Sequence, residues 1–301
     1  MLTGERILVT GATGQVALPI TRALAGQNTV TGLARFRDPV ARQVLEADGV
    51  RCIETDVARG DLSAVPDEFD VVLNLAVVKS GRFDLDLTAN AEAAGLLMAR
   101  CPSARAFLHC SSTGVYAPAG HRRLLETDAL GDNHRAIMPT YSIAKIATEA
   151  VVRTGARQCR LPTTIARLNV PYGDNGGWPA FHLEQILAGD PVALHPERPN
   201  VFNPIHEDDL IAMIPGLLAI ASVPATIVNW AGVESVSIEE WCEYLAGLVG
   251  KDATFAVTER TIASVTTDNT KLHELVGRAQ VGWRDGMARM VAARHPELAR
   301  S

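Results

Sequence analysis

Tyr141 and Lys145 stand four residues apart in the run Tyr141-Ser142-Ile143-Ala144-Lys145, and Ser111-Ser112 lie upstream of them. On a helix, residues four apart share one face. A phenol titrates near ~10, too high for an efficient base at neutral pH, and a nearby ammonium pulls it down. The chemistry this trio suits is proton transfer at an oxygen. Tyr141 moves the proton, Lys145 tunes it, and a serine hydroxyl holds the reacting oxygen. A second constellation, Thr10-Gly11-Ala12-Thr13-Gly14-Gln15-Val16-Ala17, follows the apolar run Ile7-Leu8-Val9. A strand that turns through glycines into a helix presents backbone N–H groups and the positive end of a helix dipole to an anion. Gly11 and Gly14 admit a closely approaching pyrophosphate, and Ala17 is small enough to let helix pack on strand. Either pattern alone is weak. Together, in this order, they point to nicotinamide-dependent redox chemistry.

The elements that must position these groups are legible in the first half of the chain. Candidate strands are Ile7–Thr10, Thr29–Leu33, Arg51–Glu54, Val71–Leu75, Ala106–Cys110 and Thr164–Leu168, with Ala-rich helical patterns such as Leu18–Ala25 and Ala89–Cys101 between them. Apolar strands alternating with helices predict an α/β fold, a Rossmann-type doubly wound parallel sheet. Ligands bind such sheets at the carboxyl ends of the strands. The alternation loosens after Val170, where Pro171, Gly173, Gly176, Gly177 and Pro179 mark a loop. The expected division is a dinucleotide-binding domain over 1–170 and a small C-terminal substrate-binding lobe over 171–301. Segments near 202–230 are expected to return to the main domain.

The second strand bears on the choice of cofactor. An acidic residue at its end would bind a ribose 2′-hydroxyl, and a basic one would accept a 2′-phosphate. Ala34 holds the acidic position and Arg35 follows, with Arg37 nearby. NADP(H) is therefore favoured, and NAD(H) stays possible. Asp56 and Val57 end the third strand, where a carboxylate can accept from an adenine amino group or cap a loop. Leu75 and Ala76 end the fourth, beside the expected nicotinamide ribose.

Composition limits the alternatives. The chain has 301 residues, 47% hydrophobic and 21% charged, with a net charge of −6. That balance speaks against nucleic acid or an anionic membrane as a partner. Cys52, Cys101, Cys110, Cys159 and Cys242 are scattered and odd in number. They suit a reducing, cytoplasmic setting and offer no metal-ligand spacing. The chain begins without a signal-peptide pattern, and its longest apolar stretch, Leu210 to Val223, is too short to span a bilayer.

Taken together, these residues resemble the short-chain dehydrogenase/reductase superfamily, in particular its extended branch, the NAD(P)-dependent epimerase/dehydratase family. Thr10 to Ala17 matches the TGxxGxx(G/A) turn, and Cys110 to Tyr116 matches the SSxxVY segment. Tyr141 to Glu149 matches YxxSKxxxE with Ala144 in place of Ser, Arg167 to Gly173 resembles RxxNVYGP, and Ile205 to Leu210 resembles (I/V)HVxDL. The resemblance implies that Tyr141 is the proton donor/acceptor and that Lys145 tunes it and binds the nicotinamide ribose. It implies that Ser112 orients the substrate. Ser111 and Thr113 would lie beside it, and Asn169 and Val170 beside the cofactor. Asn90 matches an asparagine often found on the helix after the fourth strand. Trp178, Phe181, His182 and Phe202 are candidates for the substrate pocket. The helix of Tyr141 often packs against its copy in the family, so a homodimer is expected.

Two departures narrow the substrate. Sugar-nucleotide members usually carry an Arg three residues before the Ile of the IHVxDL-like segment; here that residue is Phe202. Their C-terminal RxGD segment is also absent. Two diphosphate grips are thus missing, with Arg198 as the nearest substitute. The expected activity is hydride transfer between NADP(H) and a small or apolar alcohol or ketone. An epimerase working by transient oxidation, and a sensor that binds NADP(H) without chemistry, are the alternatives.

Overall fold

The structure, a computed structural model, describes residues 2–298. Its centre is a seven-stranded parallel sheet: β1 (Arg6–Thr10), β2 (Thr29–Ala34), β3 (Arg51–Glu54), β4 (Val71–Asn74), β5 (Ala106–Ser112), β6 (Thr163–Leu168) and β7 (Thr226–Trp230), in spatial order β3-β2-β1-β4-β5-β6-β7. Continuous apolar runs form its central strands because helices cover both faces. Ile7, Leu8 and Val9 of β1 are all fully buried. The order reverses beside β1, which pairs with β2 on one side and β4 on the other. That reversal opens the crevice in which such sheets bind ligands.

The helices that matter for the site are α1 (Ala17–Ala25), α2 (Pro39–Ala47), the helical stretch 83–100, called α3, and α4 (Tyr141–Gln158). α3 begins at Phe83, six residues before the sequence pattern suggests, and widens into a π-turn over Thr88–Glu92. The cause is Asn90 within that turn. Its Nδ2 donates to the Asp86 carbonyl at 2.6 Å, and to the Val78 carbonyl at 2.9 Å. A side chain that competes for the i−4 carbonyl distorts the helical ladder. α3 and α4 approach closely through small residues. A Cβ on Gly95 would meet Val151 at 3.0 Å, and one on Gly155 would meet Met98 at 2.7 Å.

The chain after residue 170 contributes in two places. α6 (Glu207–Ala219) packs Leu210, Met213, Ile214 and Leu217 into the core beside α1 and against β5 and β6, and β7 extends the main sheet beside β6. Most of the rest, including α5 (Trp178–Ala188), α7 (Ile238–Leu248) and α8 (Trp283–Arg294), builds a second core rich in aromatic residues. Trp178 meets Phe202 edge-on at 5.0 Å between ring centroids. Among the described residues, no helix is long and apolar enough to cross a membrane.

Candidate active site

One cleft of about 730 Å³ lies over the carboxyl ends of the strands and reaches into the second core. Its floor is the turn from β1 into α1. Gly11 has φ +67° and donates to the Leu33 carbonyl at 2.7 Å. A Cβ there would sit 2.8 Å from Cα of Ala76, so only glycine lets the β1 and β4 ends meet. Thr10 joins the same two ends. Its Oγ1 donates to Asn74 Oδ1 at 2.8 Å and accepts from the N–H groups of Leu75 and Ala76, both at 3.1 Å. Val16, at the N-cap of α1, supplies no side-chain cap. Leu18 N–H donates to the Gly14 carbonyl at 2.9 Å, while the N–H groups of Gln15 and Val16 ahead of the helix are left for a ligand, which suits a dinucleotide pyrophosphate. Thr13, Gly14, Gln15 and Val16 line this end of the cleft.

Beyond the turn, Arg35, Phe36 and Arg37 line the cleft after β2, and Asp56 and Val57 line it after β3. Asp56 Oδ1 also accepts from the Ala58 N–H at 3.2 Å, so it caps the short turn that follows.

Toward the middle, α4 and the end of β5 bring together the residues expected to form an acid/base group. Ser112, Thr113, Tyr141 and Lys145 all line the cleft. Lys145 is buried, and its Nζ donates to the Cys110 carbonyl at 2.7 Å. That bond anchors the ammonium at the strand end. Burial lowers the Lys145 pKa from its ordinary value, and the nearby Cys110 and Glu149 act against this. Burial pushes the Tyr141 phenol up to about 12, and the Ser112 hydroxyl beside it acts in the opposite direction. The Ser112 Oγ also accepts from the Gly114 N–H at 3.0 Å. Thr113 Oγ1 donates to the Leu168 carbonyl at 3.4 Å. Asn169, Val170, Leu75 and Ala76 complete the middle of the cleft. Asn169 Nδ2 donates to the Val265 carbonyl at 2.9 Å, tying the first core to the second.

Three expectations change on this geometry. Phe181 is 59% exposed on α5 and lies outside the cleft, because Ala180 and Leu183 take the buried positions of that helix. His182 is buried instead against Trp241, whose Nε1 donates to its Nδ1 at 2.9 Å. Ser111 borders the cleft, but its hydroxyl is spent on Glu149 Oε1 at 2.6 Å. Glu149 in turn holds Arg167 in a fully buried ion pair at 2.8 Å. The serine therefore braces α4 against β5 and β6.

Other residues of the site carry no pattern in the sequence. His134 stands 5.2 Å from Tyr141, ring to ring, and bonds to Asn133. Burial, with help from the Lys79 charge, lowers its pKa to about 4. Lys79 follows β4 and extends over Tyr141, its Nζ 5.8 Å from the ring centroid. Its signal in the sequence was slight, a charge directly after the apolar Val77-Val78. Trp178, Phe202, Ile262 and Val265 form the far wall, joined by Ile137 and Met138. Arg198 is not part of it and pairs with Glu239 at 3.0 Å.

The profile of the NAD dependent epimerase/dehydratase family matches residues 7–214. The chain belongs to this family. It is accordingly a nicotinamide-dinucleotide-dependent enzyme of the short-chain dehydrogenase/reductase superfamily, and the cradle over α1 fits such a cofactor. Among curated relatives, 2′-dehydrokanamycin reductase of Streptomyces kanamyceticus is 24% identical over 258 residues, covering 82% of this chain and 67% of its own. UDP-glucuronic acid 4-epimerase from Bacillus cereus, solved with UDP-glucuronic acid and NAD, superposes with a TM-score of 0.84 at 22% identity, covering 97% of this chain and 99% of the other. The dTDP-glucose 4,6-dehydratase of Streptomyces venezuelae, solved with NAD and TYD, gives a TM-score of 0.81 at 21% identity and covers 97% of both chains. At these identities the solved structures establish the fold.

Proposed function

We propose that this enzyme is an NADP(H)-dependent oxidoreductase acting on a small or largely apolar alcohol or ketone. The observation that carries the reading is the far wall of the cleft. Phe202 stands where sugar-nucleotide members of the family place an arginine, and it is 3% exposed between Trp178 and Trp241. Arg198 is held by Glu239, away from the cleft. A diphosphate would face apolar surface there, and burying such charge without a partner is costly. The curated reductase relative is in keeping with net reduction.

A bound nicotinamide supplies or accepts hydride at the substrate carbon. The protein does the rest. Ser112 orients the substrate oxygen, Tyr141 gives or takes its proton, and Lys145 holds the ribose and the local positive charge. Arg35, with Arg37, takes the 2′-phosphate. The test is calorimetric titration of cofactor-stripped protein with NADPH and NADH. NADPH should bind at least ~10-fold tighter, and Arg35→Ala should close that gap. Tighter NADH binding would refute the phosphate assignment.

A second reading, epimerisation by transient oxidation, draws on the UDP-sugar epimerases that share the fold. It requires retained cofactor and no net absorbance change at 340 nm with substrate. A homodimer through α3 and α4 belongs to the same proposal. Leu96 is 45% and Ile143 38% exposed on those helices. Light scattering at micromolar concentration should give twice the chain mass, and a monomer would reject it.

A further inference from the structure

Lys79 has no assigned part in the chemistry above, yet its surroundings are unusually well organised. The residue before it is held by Asn90: the Val78 N–H donates to Asn90 Oδ1 at 3.0 Å, and Asn90 Nδ2 donates back to the Val78 carbonyl at 2.9 Å. The residue after it is held by Asp86, whose Oδ1 accepts from the N–H and hydroxyl of Ser80 at 2.8 and 2.7 Å. The other Asp86 oxygen accepts from the hydroxyl of Thr140 at 2.5 Å, one residue before Tyr141. The same carboxylate thus fixes the backbone that carries the ammonium and the backbone that carries the phenol.

The ammonium itself is left free for a ligand. Asp86 is occupied by these donors, and Asp84 pairs with Arg82 at 3.0 Å. The acids that line the cleft, Asp38 and Asp56, follow β2 and β3 at its opposite end. The charge of Lys79 reaches both Lys145 and His134. Around Tyr141 the cleft therefore gathers two ammonium groups and a neutral imidazole, and the carboxylate near Lys145, Glu149, is taken up by Arg167 and Ser111. Like charges held this close disfavour one another, and a bound anion among them relieves the repulsion.

We propose that Lys79 is a specificity-determining residue that selects a carbonyl substrate bearing a carboxylate close to the reacting carbon, an oxo acid with an apolar tail. The inference rests on the oxidoreductase reading above. The carboxylate takes Lys79, and the tail lies along Trp178, Phe202 and Ile262. In the reduction, the carbonyl carbon receives two electrons and a hydrogen from the reduced nicotinamide dinucleotide. Its oxygen takes the proton of the Tyr141 phenol, and the carboxylate is unchanged. Lys79 is exposed in the open cleft, and a charge-assisted hydrogen bond to it is worth about tenfold in selectivity.

Two measurements test this on the full-length protein. The first compares kcat/KM, with NADPH in excess, for 2-oxo-4-phenylbutanoate and its uncharged primary amide. The wild type should favour the acid by at least ~10-fold, through KM, and Lys79→Met should bring the ratio to within about threefold, with Lys79→Arg restoring most of it. The second needs no turnover. The hydroxy acid product should quench the fluorescence of the NADPH complex on binding, and Lys79→Met should weaken that binding about tenfold while the Kd for NADPH stays within about twofold. If neither ketone is reduced but the hydroxy acid still binds through Lys79, the oxidoreductase reading falls and the anion site stands. Equal preference for acid and amide, failure of the hydroxy acid to bind, or a large loss of NADPH affinity in Lys79→Met would each overturn the proposal. The last outcome would assign the ammonium to the cofactor.

Discussion

Tyr141 sits in a site that, by burial, keeps its phenol protonated: its pKa is pushed up to about 12 with the cleft open. In that state it can donate a proton, as the proposed carbonyl reduction requires, and Lys145 gives one of its three ammonium hydrogens to the Cys110 carbonyl. A positively charged nicotinamide beside the ring would act in the opposite direction and favour the phenolate that alcohol oxidation needs. Tyr141→Phe should therefore keep NADPH affinity and lose ~10²–10⁴ in turnover, the usual scale for a general acid or base. Steady-state rates at saturating cofactor decide it, and turnover near wild type would remove Tyr141 from the chemistry. The Tyr141-Lys145 spacing and the two serines were readable because a helix and a strand end have fixed geometry. The resemblance also pointed to Ser112 over Ser111, but the reason was hidden: Glu149, held by Arg167, approaches from other elements and occupies the Ser111 hydroxyl.

At the scale of elements, the strand ends are joined to one another before any ligand arrives. Gly11 turns at positive φ because Ala76 presses against it, and Thr10 bonds both ends of the join. Gly11→Ala puts a Cβ in a left-handed backbone, at a cost of roughly 1–2 kcal/mol, and adds a clash with backbone that cannot swing away. The variant should unfold at a lower temperature and bind NADPH more weakly. Calorimetry and titration on one preparation separate the two effects, and a variant with both properties intact would show the join to be dispensable. The parallel strands were legible because burial on both faces leaves unbroken apolar runs. The early start of α3 was hidden, since it depends on Asn90 and Asp86 reaching across to a loop. His134 was hidden for a similar reason: residues 117–140 have no periodicity, and only the fold sets that ring beside Tyr141. Phe181 shows the converse error, an aromatic residue whose type suggested a pocket and whose place on α5 faces outward.

For the whole molecule, three buried histidines are held in places that refuse a proton. Burial lowers His109 well below its ordinary value and His182 to about 3, and burial with Lys79 lowers His134 to about 4. An unfolded histidine takes up its proton near ~6.5. Below that value the unfolded chain binds protons that the native protein does not, so stability falls with pH until the native groups also titrate. The unfolding temperature should be level above pH ~6.5 and drop steadily from there toward pH ~4 at constant ionic strength. Scanning calorimetry across that range checks the sign, and a level profile would show that none of these rings is kept neutral. The far wall of the cleft was legible only in part, through Trp178 and Phe202. Ile262 and Val265 come from a segment with no regular pattern, placed by backbone bonds to the 124 and 201 regions.

Asp86 has a consequence for how such an enzyme diverges. Because one carboxylate holds both the Lys79 loop and the start of the Tyr141 helix, a mutation there moves the proposed selecting group and the proposed proton donor at once. Inheritance therefore has little freedom at that position. Descendants that take up a new substrate have an easier path through Trp178, Phe202 and Ile262, where a change alters the shape of the wall and leaves the proton-transfer group as it was.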